Sequence, residues 1–123
     1  SEINGLGLFG NSDVSPYILN GEGSNYLARM TADKLGSEGF AVTGTDNANR
    51  FDYETSYIVT LADTEDVEKA AQMLKSKLPY SVTIVSESEF QDNLTAIEES
   101  GVNIPSEANL LLVLGKGSPS FVT

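Results

Sequence analysis

The sequence predicts an α/β fold: an α+β two-layer sandwich with one mixed sheet and helices mainly on one face. Short runs of β-branched and aromatic residues alternate with amphipathic helical patterns in the order β-α-β-β-α-β. A weaker helical pattern and a continuously apolar run follow, which add a helix and a final strand. One sheet with helices packed mainly on one face is the simplest way to bury these patterns.

The first unit is a strand, a glycine turn and a helix. Tyr17-Ile18-Leu19 is a short apolar run, and the Asn20–Ser24 stretch contains Gly21 and Gly23, which allow a sharp turn. The spacing of apolar residues predicts a helix over residues 25–37, with Ser24 or Asn25 as its cap. Strands are predicted next at residues 40–43, closed by Gly44, and at residues 55–61.

The second half contains the clearest helix. Asp63 or Thr64 is expected to cap it, an apolar stripe follows, and Pro79 ends it. A strand is predicted over residues 81–85, then a third helix opened by a Ser88–Gln91 capping box. Residues 110–114 are all apolar, which predicts a central strand that is covered on both faces or at least deeply buried.

Composition excludes several classes of function. The chain of 123 residues has no Cys, His or Trp and a net charge of −11, from 18 acidic and 7 basic residues. Disulfides, thiolate sites and a histidine base are therefore impossible, and we expect no cofactor and no metal site. The acidity argues against nucleic acid and against anionic membrane surfaces, because phosphate binding needs clustered cations.

The chain is predicted to form one domain. Residues 1–15 are rich in Gly, Ser and Asn and are interpreted as a flexible lead-in or linker. Residues 16–117 form the domain, and residues 118–123 are expected to be a loose tail. No apolar run is long enough to span a membrane, so contact with a membrane is expected only through other parts of a longer protein.

Two stretches are candidate sites. Asn20, Gly21, Gly23 and Ser24 form a glycine turn before a helix, which could expose free N–H groups to a phosphate, although the spacing and lysine of a P-loop are missing. The alternative is simply a tight turn. In the loop from Asn47 to Tyr53, the side chains of Asn47, Arg50, Asp52 and Tyr53 offer the donors, acceptor and ring of a polar ligand or glycan site.

The alternative for this loop is structural. Arg50 would pair with Asp52 or a neighbouring acid, and Phe51 and Tyr53 would anchor the loop to the core. No catalytic residue is assigned. The paired acids Glu98-Glu99 and Glu87-x-Glu89 lie on polar stretches, where solvated side chains are the simplest interpretation.

Several motifs together resemble the LytR C-terminal domain, the accessory domain of LytR/CpsA/Psr cell-envelope proteins. They are Ile18-Leu19-Asn20-Gly21-x-Gly23, Leu27-Ala28-Arg29, Ala32-Asp33-x-Leu35, Gly39-Phe40-x-Val42, Asn47 through Thr55, and Leu111 through Lys116. The similarity covers roughly residues 16–117. The chain departs from the family pattern at Tyr26, where a small residue, commonly Gly, is frequent.

The resemblance implies a non-catalytic accessory or interaction domain at the bacterial cell envelope, outside the cytoplasm. Its expected partners are a cell-wall glycan, an envelope protein, or the catalytic domain of its own full-length protein. Any transfer of polymers to the wall would belong to that separate catalytic domain. The alternatives are a carboxylate-based enzyme acting on envelope saccharides and a purely structural spacer.

Overall fold

The computed structural model describes residues 10–123, and within them it has five strands and three α-helices. In chain order they are β1 (Pro16–Asn20), α1 (Leu27–Ser37), β2 (Gly44–Asn47), β3 (Ser56–Thr60), α2 (Glu65–Lys77), β4 (Val82–Ser86), α3 (Gln91–Glu99) and β5 (Leu110–Leu114). Short 3-10 turns lie at Asn11–Asp13 and Ser118–Phe121. The predicted order of elements is therefore confirmed.

The strands form one mixed sheet in the order β2-β1-β5-β3-β4. The last strand, β5, lies in the centre, parallel to β1 and antiparallel to β3. Its middle residue Leu112 pairs with Ile18 on one side and with Ile58 on the other. All five residues of β5 are buried, as expected for a central strand covered on both faces.

The two faces of the sheet are covered by different helices. Alternate residues of the strands point to opposite faces, so each face has its own apolar cluster. Helices α1 and α2 cover one face and pack on Ile18, Ile58, Leu110, Leu112 and Leu114. Helix α3 and the loop after it cover the other face and pack on Tyr17, Leu19, Val59, Leu111 and Val113. The prediction that the helices lie mainly on one face is thus confirmed, and α3 covers the second face.

The second helix begins where the sequence predicts. The Thr64 hydroxyl accepts a hydrogen bond from the backbone N–H of Val67 at 3.2 Å, which satisfies one donor of the first turn. Three acidic residues lie in that turn and two lysines in the last, both favourable to the helix dipole.

The predicted strand at residues 40–43 is wrong, because β2 starts at Gly44 where the prediction ended a strand. Phe40 is buried in the core before the strand begins. β2 is an outermost strand of the sheet, with a neighbour on one side only, and its residues are polar and mostly exposed. Main-chain pairing with β1 defines it, and hydrophobicity gives no signal for such a strand.

Two predicted helix caps are also wrong. The residue that precedes α1 is Tyr26, and neither Ser24 nor Asn25 caps the helix. Before α3 the reciprocal bonds join Ser86 and Glu89: the N–H of Ser86 donates to the Glu89 carboxylate at 2.8 Å, and the N–H of Glu89 donates to the Ser86 hydroxyl at 3.2 Å. The box therefore stands two residues earlier than the pattern indicated.

The ends of the chain differ from expectation where the structure describes them. The lead-in prediction falls partly on residues 1–9, which lie outside the described residues, but Val14 within it is fully buried. The tail is not loose: Phe121 is buried, and its carbonyl accepts a hydrogen bond from the Lys34 ammonium at 2.6 Å. That ammonium also lies 4.6 Å from the centre of the Phe121 ring.

We predict that Gly115→Ala destabilises the domain by about 2 kcal/mol or more, because overpacking against backbone cannot relax. A Cβ at this position would collide with the Thr55 carbonyl group, and the Gly115 N–H donates to the Ser56 hydroxyl at 2.8 Å. Chemical denaturation measures the loss.

Gly36→Ala is the matched control. Gly36 lies in α1, and a Cβ there meets nothing within 4 Å. Alanine is the better helix former, so this variant should gain up to about 1 kcal/mol. Equal stability of the two variants would show that the contact at Gly115 is not tight.

Candidate functional site

One edge of the sheet collects both candidate stretches. Strands β1, β2 and β5 run parallel, so their carboxyl ends meet there, and antiparallel β3 begins at the same edge. We call this the carboxyl edge. The 20–24 turn follows β1, the 47–53 loop starts at the end of β2, and residues 115–117 follow β5. The fold therefore brings together two stretches that are distant in sequence.

The 20–24 turn is closed by its own hydrogen bonds. The Asn20 side-chain oxygen accepts from the N–H groups of Glu22 at 3.0 Å and Gly23 at 2.8 Å. The Ser24 N–H donates to the Glu22 carboxylate at 2.8 Å, and the Gly21 N–H donates to the Leu114 carbonyl at 2.9 Å. These bonds occupy the backbone donors on which the phosphate hypothesis relies. The geometry therefore favours the tight-turn alternative for Asn20, Gly21, Gly23 and Ser24.

Tyr53 fixes the loop to the edge. Its side chain is 2% exposed, and its hydroxyl donates to the Asn49 side-chain oxygen at 2.7 Å. Its ring lies so close to Gly21 that a Cβ there would be 2.6 Å from the Tyr53 Cδ2 atom. Burial raises the pKa of the Tyr53 hydroxyl. Tyr53 is therefore an anchor, as the structural alternative expected.

Arg50 is held on the outer side of that ring. Its guanidinium carbon lies 3.9 Å from the centre of the Tyr53 ring, and its Nη1 atom lies 2.8 Å from the Asp52 carboxylate. The hydrogen bond from Arg50 lowers the pKa of Asp52. Both side chains are solvent-exposed, at 44% and 77%, so the ion pair orients the guanidinium more than it stabilises the fold.

Two further residues of the loop face solvent, whereas Ala48 is buried in the core. Asn47 is exposed, and Phe51 is 52% exposed, so Phe51 is not the core anchor that the structural alternative expected. Tyr26, just before α1, is the other exposed aromatic side chain of this edge, at 74%. Neither ring is among the site residues that the sequence predicts. One available signal was that Tyr26 lies outside the apolar stripe of α1.

Two crevices flank the 20–24 turn. The Tyr26 crevice, of about 220 Å³, is lined by Asn20, Tyr26, Leu27, Ala28, Arg29, Thr45, Asp46 and Asn47. The Phe51 crevice, of about 250 Å³, is lined by Glu22, Phe51, Asp52, Tyr53, Glu54 and Lys116. Each combines an exposed aromatic ring with polar side chains. Such a combination suits an amphipathic ligand that has both C–H faces and hydroxyl groups.

A third crevice lies at the opposite edge, where β3 and β4 end. Its volume is about 320 Å³, and Asp63, Glu68 and Glu87 contribute carboxylates to it. All three side chains are exposed. Among residues 10–123, no group of three or more acidic side chains has the arrangement to hold a metal ion.

Comparison with known families decides the assignment. The family model described as "LytR cell envelope-related transcriptional attenuator", the LytR C-terminal domain, matches residues 15–117. The chain belongs to this family. The match spans the whole of the predicted domain of residues 16–117, so the resemblance seen in the motifs is confirmed. Searches of curated proteins and of solved structures found no significant match.

The family assignment makes this LytR C-terminal domain part of a cell-envelope protein. Within the described part of the chain, no helix is both long and apolar enough to cross a bilayer.

The hydrogen bond from Arg50 to Asp52 predicts a lowered pKa for the Asp52 carboxyl group. In the native domain the Asp52 carboxyl should titrate below its ordinary pKa of 3.8. The ion pair needs the ionised carboxylate, so it is present at neutral pH and is lost as the pH falls through that lowered value. Carbon-13 NMR of the carboxyl groups measures it.

Arg50→Ala should raise the pKa of Asp52 towards the ordinary value. Arg29→Ala, at the other arginine, is the control and should leave Asp52 unchanged. An unaltered Asp52 titration in Arg50→Ala would contradict the observed geometry.

Proposed function

We propose that this LytR C-terminal domain is a non-catalytic interaction module, placed outside the cytoplasm, that binds a cell-wall glycan at its carboxyl edge. The observation that carries the proposal is the pair of crevices on either side of one rigid turn, each with an exposed aromatic ring. Aromatic rings pack against the C–H faces of sugars, and the polar side chains beside them can bind hydroxyl groups.

The charge of the domain supports a ligand without phosphate. With a net charge of −11, the domain repels a long anionic polymer such as a phosphate-rich wall polymer. Glu22, Asp52 and Glu54 line the Phe51 crevice beside a single lysine, Lys116. The saccharide backbone of the wall is therefore a better partner than the anionic polymers attached to it.

The fixed orientation of side chains at the carboxyl edge supports a binding function over a catalytic one. Arg50 is oriented by two neighbours, an aromatic ring and a carboxylate, which reduces the entropy lost when a ligand contacts it. A carboxylate-based enzyme would instead use the crevice of Asp63, Glu68 and Glu87. General acid catalysis at a sugar bond requires one carboxyl to stay protonated in an apolar or like-charged setting, and these side chains are exposed to water.

Co-sedimentation with isolated bacterial wall tests the proposal. The domain should pellet with wall, and binding should survive removal of the attached anionic polymers. Phe51→Ala should weaken binding about fivefold, the value of one aromatic contact of about 1 kcal/mol. Since Phe51 is half exposed, this variant should keep its fold, whereas Tyr53→Ala removes a buried anchor and is unsuitable.

Met30→Ala is the matched control, because Met30 is an exposed apolar residue, at 41%, that lines neither crevice of the carboxyl edge. It should pellet like the wild type. If the wild type does not bind either wall preparation, the glycan proposal is wrong, and an envelope protein or the catalytic domain becomes the partner to test at this edge. Equal binding by Phe51→Ala would show that the Phe51 crevice is not used.

A further inference from the structure

We propose that the Tyr26 crevice is a second subsite, so that one neutral glycan chain crosses the 20–24 turn with one sugar against Phe51 and another against Tyr26. This inference rests on the proposed function and adds the length and charge of the ligand. It assigns a role to Tyr26, a residue that neither the core nor the loop requires.

The sizes of the crevices favour an extended ligand. Volumes of about 220 Å³ and about 250 Å³ lie below the roughly 300–1,000 Å³ of ordinary small-molecule pockets. Each crevice therefore suits one unit of a longer molecule. The 20–24 turn contributes to both, because Asn20 lines the Tyr26 crevice and Glu22, two residues later, lines the Phe51 crevice. The two hydrogen bonds that the Asn20 side-chain oxygen accepts hold this turn in one conformation.

The backbone of Tyr26 is the second argument. Its φ of 62° and ψ of 13° are left-handed, and among the described residues it is the one non-glycine residue with positive φ. A bulky side chain in this conformation costs free energy, and such outliers cluster where a ligand is bound. Burial of the side chain does not offset this unfavourable free energy, since Tyr26 is 74% exposed and belongs to neither apolar cluster. The conformation instead holds the ring at the rim of the crevice.

The charges in the crevice define the ligand. Arg29 and Asp46 both line it and carry opposite charges, so the crevice has no net charge from its lining. Asn47 adds an amide that can donate and accept hydrogen bonds. A phosphate or carboxylate would meet Asp46 here and the acids of the Phe51 crevice beyond the turn. A neutral saccharide with hydroxyl or N-acetyl groups satisfies both crevices.

Calorimetric titration with N-acetylglucosamine oligomers tests the second subsite. If a chain crosses the turn and a disaccharide fills only one crevice, the tetrasaccharide should bind the wild type about tenfold more tightly than the disaccharide. Tyr26→Gly should weaken tetrasaccharide binding about five- to tenfold and change disaccharide binding little, so the preference for length disappears. Tyr26→Phe keeps the ring and should retain the preference.

Thermal unfolding separates binding from folding. Glycine adopts positive φ without strain, so Tyr26→Gly should keep or raise the melting temperature while it loses affinity. Tyr26→Asn, which tolerates the left-handed region and lacks the ring, should behave in the same way. A fall of several degrees in both variants would show that the ring supports the fold, and the subsite assignment would be wrong.

The outcomes also separate this inference from the proposed function. If Phe51→Ala loses wall binding and Tyr26→Gly does not, the domain binds glycan through one crevice and the second subsite is refuted. Wall binding without any binding of the oligomers refutes the second subsite in the same way. If the wild type does not pellet with wall, both proposals fail together.

Discussion

The position of β5 between β1 and β3 is the constraint on which the rest of the structure depends. Its five apolar residues are all buried, and each such side chain contributes about 1.5–3 kcal/mol when it leaves water. A strand this apolar is stable only where both of its faces and both of its edges are covered. The last strand of the chain therefore inserts between the first and the third, and it joins the two halves into one sheet.

The segments of the carboxyl edge are held in place by hydrogen bonds that begin at that central strand. A chain of main-chain hydrogen bonds starts at the end of β5: Gly21 donates to Leu114, Tyr53 donates to Gly21, and Lys116 donates to Tyr53. Each of these bonds fixes a different segment against the next. Because a side chain at position 21 would collide with the Tyr53 ring, the segments approach closely only with glycine there. The candidate site is thus built on rigid backbone.

On that rigid base the edge separates two kinds of side chain. Tyr53 and Asn20 point inward, and their polar groups form hydrogen bonds within the protein. Tyr26 and Phe51 point outward and leave aromatic surface exposed beside hydrogen-bonding groups. Arg50 lies over the buried Tyr53 ring and is paired with the exposed Asp52 carboxylate. This arrangement is the one that the proposed glycan site requires, because the exposed rings stand on backbone that is already fixed.

The sequence alone determined the elements whose apolar pattern is strong. The apolar run of residues 110–114 predicted a buried strand, and the stripe and caps of α2 specified that helix closely, because these patterns act locally. The motifs also pointed to the family that the family model then matched. The edge strand β2 was misplaced, since an exposed polar strand exists through pairing that no local pattern records. Tyr26, Phe51 and Tyr53 are three aromatic residues at one edge, yet only the packing decided which one is buried and which two face solvent. Exposure depends on neighbours that are far away in the chain, and only the tertiary structure brings those neighbours together.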